Sequence, residues 1–448
     1  MKKLLAPVLL GACFSVSAET IDLEQAIALA MDADPRIEER KHLVDAAHGL
    51  LSEVNGNGDW FVDANAFVGL APQIDGNIFK GGACNNAQCE LRDDRYDLNG
   101  LTGWMNLEMG IIKPLYTFGK IENYAEAAEA NIRIKGEDVA LQRHATVLDV
   151  KKAYYGYLAA RDGRYLLEDV DKRLQKAMDL VTEWLENDEG DVKQADLYAL
   201  EAGQGVLGKF RAQASALEKI ALDGLKVVTG KGLDAELEVA DRRLKPVALP
   251  EASLGEMKLL ALIERPEMRQ LAAGLKARRA LVEASKADGM PNVYAGVVGM
   301  ISYAPGRDRI DNPYIYDPFN DAGLTPIVGL KWDWKGGVIE GKTKTAQAEL
   351  SALIAKSDLA REGIPYQVAE QYYQVQGYSE AVQQLENASR SARRWMIASY
   401  TDFEAGTEKA DKVMMAFQAY VLAMSDYLET TFEYNMHVAK LNAATGAL

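Results

Sequence analysis

One ordered set of short motifs occurs twice along this chain, and this repeat constrains the fold more than any other feature of the sequence. Each motif of the first half has a counterpart about 230 residues later, or about 218 residues later beyond the first predicted loop. The matched pairs are Asp34-Pro35-Arg36 with Arg265-Pro266-Glu267, Val68-Gly69 with Val298-Gly299, Gly119 with Gly337, Tyr154-Tyr155 with Tyr372-Tyr373, Lys193-Gln194-Ala195-Asp196 with Lys409-Ala410-Asp411, and Thr229-Gly230 with Thr445-Gly446. The pattern predicts two tandem structural repeats, over 19–230 and 254–448, joined by a connector over 231–253.

Alternation of apolar and polar residues predicts two β-strands in each repeat. In the first strand Val62, Ala66 and Val68 alternate with more polar neighbours, so one face of the strand is apolar. Tryptophan and tyrosine residues lie near the strand ends, as they do where strands meet a membrane interface. The predicted strands cover about 59–70, 103–115, 292–303 and 325–335. A soluble sheet with one face in water is the alternative interpretation of the same alternation.

Two very long helices are predicted from segments that are rich in Ala, Glu, Lys and Leu and almost free of proline. They cover about 120–187 and 338–403, and at 1.5 Å per residue each would reach roughly 100 Å. Helices of this length imply a coiled coil or an extended tube. Shorter helices are predicted over about 192–229 and 407–444, and further helical segments precede the strands. Each repeat is therefore expected to pack one long helix beside two shorter ones.

The first residues have the pattern of an export signal. Lys2 and Lys3 precede a short apolar segment that ends in small residues at Ala18, so residues 1–18 are predicted to be a cleaved signal peptide. Processing as a lipoprotein at Cys13 is the alternative. No later segment has 18 consecutive apolar residues, so no transmembrane helix is predicted. The expected locations are the periplasm, the external medium or, as a β-barrel, the outer membrane.

Charge and cysteine content narrow the classes of function. A net charge of −16 argues against a nucleic-acid partner, because phosphate binding requires clustered Lys and Arg. Cys84 and Cys89 lie in a segment rich in Gly and Asn, where an oxidising compartment favours a local disulfide. Free thiols and metal binding are the alternatives, although no second cysteine pair or nearby histidine completes a metal site. No cofactor and no metal ion are predicted.

The small number of predicted strands implies an oligomer if these strands cross a membrane. An open sheet edge in lipid leaves backbone groups unpaired, at a cost of several kcal/mol each. Single-chain bacterial barrels begin at eight strands, so four strands must be completed by other chains. Two chains would supply eight strands and three would supply twelve. Because an eight-stranded barrel is filled by its own side chains, a conduit favours three chains.

The order of these segments resembles that of the TolC-like family of outer-membrane efflux and secretion proteins, over essentially the whole mature chain. The resemblance includes the position of Gly119 and Gly337 at the family's strand-to-helix turns. It also includes two longer motifs, Ile21-Asp22-Leu23-Glu24-Gln25-Ala26 before Asp34-Pro35, and Gly190-Asp191-Val192-Lys193-Gln194-Ala195-Asp196-Leu197. The resemblance implies a homotrimer in which a twelve-stranded transmembrane β-barrel continues into a periplasmic α-helical barrel, with the connector at mid-height.

In function, the resemblance implies a passive exit duct in the outer membrane. The implied partners are outer-membrane lipid, a periplasmic adaptor (membrane fusion) protein and an inner-membrane transporter, which together form a tripartite efflux pump or a type I secretion system. The implied adaptor-docking residues lie at the turns of the two helical hairpins: Gly190, Val192, Ala405, Gly406 and Thr407. Ordinary hairpin turns would use the same glycines equally well.

Acidic residues crowd the same predicted turns, and threefold repetition would ring an entrance with carboxylates, which favours cations. The candidate gate residues are Asp188, Glu189, Asp191, Asp402, Glu404, Glu408 and Asp411. A solvated, helix-capping surface is the alternative interpretation, because acids are common at helix N-termini. Asp411 also lies one position earlier after its glycine than the family pattern has it, and Lys412 follows.

Two other functions compete with the channel. The segment Gly336 to Thr343 fits G-x-x-x-x-G-K-T, the phosphate-binding loop of nucleotide-binding proteins. The matching segment of the first repeat lacks the motif, and an export signal points to a compartment without ATP. A periplasmic coiled-coil scaffold without a pore would explain the helices but not four strands with apolar faces. No catalytic residue is assigned, and the protein is predicted not to be an enzyme.

Overall fold

The computed structural model describes residues 19–74, 90, 100–188, 192–310 and 316–447. Its helices are α1 Leu23–Ala33, α2 Pro35–Gly56, α3 Lys120–Asn187, α4 Gln194–Val228, α5 Leu254–Glu264, α6 Pro266–Ala287, α7 Gly336–Glu404 and α8 Ala410–Thr445. Its strands are β1 Glu19–Ile21, β2 Phe61–Pro72, β3 Leu101–Tyr116, β4 Leu237–Val239, β5 Asn292–Tyr303 and β6 Asp321–Lys331. The chain is mainly helical with an antiparallel sheet, as predicted.

The chain divides into two compact units. The helical unit comprises residues within 1–43, 135–270 and 356–448, and the sheet unit comprises 44–134 and 271–355. Within the described residues, none of the helices combines the length and the apolar composition that crossing a bilayer requires.

The sheet unit contains one four-stranded antiparallel sheet with the strand order β2-β3-β5-β6. The register pairs Val68 with Met105 and Met105 with Tyr303, so side chains of three strands share a face at this level. On the same face Val297 of β5 pairs with Pro326 of β6. Within the described residues, the outer edges of β2 and β6 have no strand beside them.

Apolar clusters hold the helical unit together. One cluster takes buried residues from α3, α4, α7 and α8, including Val181, Leu200, Phe403 and Val413. Two further clusters bury residues of the short helices α1 and α5 against the longer ones. Three apolar clusters thus pack the short and long helices of this unit against one another.

Local sequence explains where the short helices begin. Asp22 and Gln25 form a reciprocal capping box at α1, with N–O distances of 2.8 and 3.1 Å, and Ser253 and Glu256 form the same box at α5. The next helices, α2 and α6, each begin with a proline, where a missing N–H costs nothing. The Asp34-Pro35 motif thus marks the junction between α1 and α2.

The connector carries structure that the alternation of residues did not predict. Its strand β4 pairs in parallel with β1, joining Glu19 to Leu237. The connector is also bonded to the long helices, because the Tyr154 hydroxyl donates to Asp241 at 2.8 Å and the Asn435 amide donates to the Lys245 carbonyl at 2.8 Å. Strands of three residues are too short for a period of two to be detected.

The fourth strand lies earlier than predicted. The prediction of about 325–335 was wrong at both ends, since β6 is Asp321–Lys331. Alternation continues through Trp332 and Trp334, but Lys331 pairs with Asn292, the first residue of β5. Beyond that pair β6 has no partner, and the chain leaves the sheet.

Candidate functional sites: the sheet faces and the hairpin ends

One face of the sheet is apolar across all four strands and is exposed. The register places residues of β2, β3, β5 and β6 side by side on this face. Val68, Leu324 and Val328 are 88%, 78% and 78% exposed. The face also contains Val62, Leu70, Met105, Leu107, Met109, Ile111, Val297, Ile301 and Leu330. A contiguous apolar surface of this extent marks contact with lipid or protein.

The opposite face of the same sheet is more polar than the first, although Phe61, Phe67 and Val298 are also exposed on it. Asp63, Asn65 and Glu108 are exposed on it, and Gly110 and Gly296 leave parts of it without side chains. Asn106 and Ser302 are the buried polar residues of this face, at 8% and 5% exposure. An apolar face and a polar face on alternate residues are what strands between lipid and water require.

Aromatic side chains gather where the strands meet the helices. Trp60, Trp332 and Trp334 are about 60% exposed, with values of 60%, 58% and 65%. The Lys113 ammonium lies 5.7 Å from the Trp60 ring centroid, and the Trp332 indole donates to the Gly289 carbonyl at 3.1 Å. Exposed indoles with polar partners are typical of a membrane–water interface.

The two strand-to-helix turns differ, although sequence placed Gly119 and Gly337 at equivalent positions. Gly119 has φ +81° and lies directly before α3, so a residue with a side chain would be strained there. Gly337 is the second residue of α7 and is helical. A turn that requires glycine is therefore present only at Gly119 of this pair.

The phosphate-loop motif is not a loop. Gly336 to Thr343 all belong to α7, so the backbone N–H groups beyond its first turn bond within the helix rather than form a cradle. The Lys342 ammonium pairs with the Asp288 carboxylate at 3.1 Å. The geometry therefore argues against nucleotide binding at this motif.

The second hairpin end is a glycine-terminated turn. Gly406 has φ +71°, and its N–H donates to the Phe403 carbonyl at 2.9 Å. The Thr407 N–H and hydroxyl both donate to the Asp402 carbonyl at 2.9 Å. This is the Schellman arrangement, which satisfies the last carbonyls of α7. Ala405, Gly406 and Thr407 are all exposed, as residues available for docking must be.

Three residues of the first hairpin end, Glu189, Gly190 and Asp191, lie outside the described residues. The residues on either side of them are described. Asp188 has φ +53° directly after α3, and Val192 is half-buried. The Asp196 carboxylate accepts the Lys193 N–H at 2.8 Å and so caps α4. Cys84 and Cys89 also lie outside the described residues.

The remaining candidate gate acids have different surroundings. Glu408 accepts the Lys409 N–H at 3.0 Å and pairs with Lys412 of α8 at 3.4 Å. Asp411 is exposed in the first turn of α8. Asp402 and Glu404 have exposed side chains on the last turn of α7. The described candidate acids thus lie at the hairpin ends, and they differ in exposure and in the groups that they contact.

Glu404 acts on a buried phenol. Burial raises the pKa of Tyr400, and a hydrogen bond to the Glu404 carboxylate together with its negative charge raises it further, to about 12. Tyr400 stacks on Phe417 with ring centroids 6.2 Å apart. Tyr400 therefore stays neutral at any physiological pH and links the exposed acid to the apolar cluster below.

Aromatic packing beneath the hairpin ends was missed by the sequence analysis. Trp184 of α3 meets Phe403 of α7 edge to face, with centroids 5.3 Å apart, and Phe403 is fully buried. This contact joins the two hairpins to each other. The signal available in the sequence was an aromatic residue in the last turn of each long helix.

No family model matches the sequence. Among curated proteins, the alkaline protease secretion protein AprF of Pseudomonas aeruginosa is 23% identical over 366 residues, which cover 80% of this chain and 72% of AprF.

Solved structures of outer membrane channels superpose on nearly the whole chain. The CmeC outer membrane channel of Campylobacter jejuni matches with a TM-score of 0.76 and 11% identity, over 95% of this chain and 85% of CmeC. The open state of the MtrE outer membrane channel of Neisseria gonorrhoeae matches with a TM-score of 0.74 and 16% identity, over 95% of this chain and 89% of MtrE. The chain therefore has the fold of the TolC-like outer-membrane channels that its sequence resembles.

Proposed function

We propose that this protein is the outer-membrane channel, or exit duct, of a tripartite efflux pump or a type I secretion system. The observation that carries the proposal is a four-stranded sheet with one exposed apolar face, one polar face and two unpaired edges among the described residues. It would conduct passively, and a pump elsewhere would supply the energy.

Three copies would complete the sheet. Lipid tolerates the apolar face but not unpaired backbone at the edges of β2 and β6, so each edge requires the opposite edge of another copy. Three chains would close twelve strands around a bore lined by the polar face. The protein would then be a homotrimer in the outer membrane that extends into the periplasm.

The helices would continue the conduit as a periplasmic α-helical barrel. The order helix, helix, strand, strand, long helix, shorter helix occurs from α1 to α4 and again from α5 to α8, which supports two tandem repeats. The connector, bonded to α3 and α8, would lie at mid-height.

The hairpin ends would meet the periplasmic adaptor and the inner-membrane transporter. The exposed turn from Ala405 to Thr407 in the second repeat, together with Val192 and with Gly190, which lies outside the described residues, would dock the adaptor. The acids at the same ends would form the entrance. The relative AprF is named for secretion of an alkaline protease, which supports the secretion branch of the proposal.

The decisive test is the native mass of the mature protein, extracted with detergent from separated inner and outer membranes. A trimer confined to the outer membrane is expected. A monomer or dimer that is released without detergent would refute the channel and favour the coiled-coil scaffold.

The gate assignment has its own test in planar bilayers. The double variant Asp402→Asn/Glu404→Gln is expected to reduce the preference for cations over anions, because it removes charge from the proposed entrance. The control is Asp358→Asn on the same helix, an exposed acid in mid-helix with a side chain 68% exposed. Equal selectivity in all three proteins would exclude Asp402 and Glu404 from the gate.

A further inference from the structure

The loop between β5 and β6 folds back over the polar face of the sheet. The Ser302 hydroxyl, on that face, donates to the Pro318 carbonyl of the loop at 2.6 Å. The Trp104 indole donates to the Ser302 hydroxyl at 2.9 Å, and its ring meets Phe319 edge to face at 5.5 Å. The described loop residues, 304–310 and 316–320, therefore cover one end of the polar face, which lies opposite the exposed apolar face.

A buried ion pair closes this loop on itself. Arg307 donates to both carboxylate oxygens of Asp317 at 2.7 Å, and the two side chains are only 3% and 4% exposed. The guanidinium also donates to the Pro72 carbonyl at 3.1 Å and lies 4.9 Å from the Phe319 ring centroid. Because Pro72 ends β2, the pair fastens the loop to the first strand of the sheet.

The carboxylate of this pair is bound from several sides. Burial alone would raise the pKa of Asp317, but Arg307 and the N–H groups of Ile310 and Phe319 outweigh it and hold the pKa below its usual range. A carboxyl with a lowered pKa keeps its contribution to stability at every pH above its ordinary value. The loop is therefore expected to stay closed in neutral and mildly acidic surroundings.

Further bonds fix the loop to two strand ends. The Gln73 amide donates to the Gly306 carbonyl at 3.2 Å, and the Thr102 hydroxyl donates to the Pro305 carbonyl. Beneath the loop Asn106 is buried, whereas Glu108, one step along the same face, is exposed. The covered region thus ends between these two residues.

We propose that the described loop residues 304–310 and 316–320, held by the Arg307–Asp317 pair, form a fixed constriction at the outer mouth of the bore and set the size of the molecules that can pass it. The inference rests on the proposed function, because only a closed barrel with the polar face inward places the loop inside the bore. Three copies would bring three such loops to one opening, so Arg307, Asp317 and Phe319 would determine a size limit independent of the periplasmic entrance.

The test measures access from outside the cell to a thiol placed below the loop. Glu108→Cys is introduced in a Cys84→Ser/Cys89→Ser background, and intact cells are labelled with a small charged maleimide or a bulky polyethylene-glycol maleimide. Arg307→Ala is then added to open the loop. Arg361→Ala is the matched control, since Arg361 lies on α7 outside the loop, with a side chain 65% exposed and 4.0 Å from Asp358.

In the parent the small reagent is expected to label the Glu108→Cys thiol much faster than the bulky one. Arg307→Ala is expected to raise the rate of the bulky reagent at least about tenfold, because removing one partner leaves a buried charge unpaired. Arg361→Ala should leave both rates unchanged. Phe319→Ala, which removes the ring that packs against Trp104 and Arg307, should raise the rate of the bulky reagent in the same direction as Arg307→Ala. This second variant keeps the test valid if Arg307→Ala does not assemble.

Two failures are distinguishable. A parent protein that is absent from the outer membrane, or is not a trimer there, would overturn the proposed function and this inference with it. A trimer in the outer membrane whose Glu108→Cys thiol reacts equally fast with both reagents, with or without Arg307→Ala, would overturn the constriction alone.

Discussion

The two hairpin ends follow one plan but terminate their helices by different means. The second end turns at a glycine, Gly406, and enters α8 through Lys409, whose N–H donates to the carboxylate of the preceding Glu408. The first end leaves α3 through Asp188 at positive φ and caps α4 with Asp196, inside the helix. The contacts that lead into the two return helices therefore come from acids at different positions, and a role inferred for one hairpin end does not transfer to the other.

The packing beneath the ends should show the largest difference between the hairpins. Phe403→Ala is expected to lower the free energy of local opening by about 3–5 kcal/mol, because it empties a fully buried aromatic site. Leu185→Ala, at the matching point of α3, should cost about 1–2 kcal/mol, since Leu185 is only half-buried. Native-state hydrogen exchange of the hairpin amides measures both. Equal costs would mean that the two hairpins share the packing evenly.

Substitutions at the two turns should have opposite signs. Gly406→Ala is expected to cost about 1–2 kcal/mol, because a side chain is strained at its positive φ. Asp188→Gly should stabilise the first turn by up to about 1 kcal/mol by relieving the same strain. Hydrogen exchange of the amides next to each turn is the measurement. Destabilisation by Asp188→Gly would show that the carboxylate, rather than the backbone, holds the first turn.

Removing the acid in the first turn of each return helix should destabilise α4 more than α8. Asp196→Ala is expected to cost about 1 kcal/mol at the start of α4, because the Lys193 N–H loses its acceptor. Asp411→Ala should cost only a few tenths of a kcal/mol, the value of an exposed charge near a helix N-terminus. Protease cleavage rates at the two hairpin ends would report the contrast. A larger effect of Asp411→Ala would reverse the assignment.

The smallest expected effect is a change in the pKa of Tyr400, which lies in the second hairpin beside Glu404. Glu404→Gln should lower the pKa of Tyr400 from about 12 towards its ordinary value of 10.0, because the neighbouring negative charge is removed. A phenol whose pKa is raised by folding contributes stability that is complete below the ordinary value and is lost as pH rises towards 12. Ultraviolet titration, with Tyr400→Phe as the reference, measures the shift, and an unchanged pKa would remove Glu404 as a cause.

Local signals in the sequence were sufficient for much of the fold. The long helix α3 contains no proline and α7 continues through Pro365, so their lengths follow from the helical segments themselves. The apolar sheet face could be predicted from the alternation of residues along each strand, because within the described residues that face meets no protein core. In both cases the cause lies within one segment of the chain.

Contacts between distant segments could not be predicted in the same way. The Trp184–Phe403 contact and the pairing of Arg307 with Pro72 each join residues more than two hundred positions apart. Gly337 was placed at a turn by analogy with Gly119, but α7 begins at Gly336, so Gly337 is part of the helix. The acids at the hairpin ends were identified by their position in the sequence. Whether an acid near a helix start caps that helix depends on its position to within one residue, as the capping by Asp196 shows.

The N-terminal strand finds its partner late in the life of the growing chain. Glu19 pairs with Leu237, so the loop that closes between them contains roughly two hundred residues and its entropy must be lost before any bond forms. Contacts of such sequence separation slow folding more than they add stability. Strand β1 therefore stays unpaired until residues 237–239 of the connector have been synthesised.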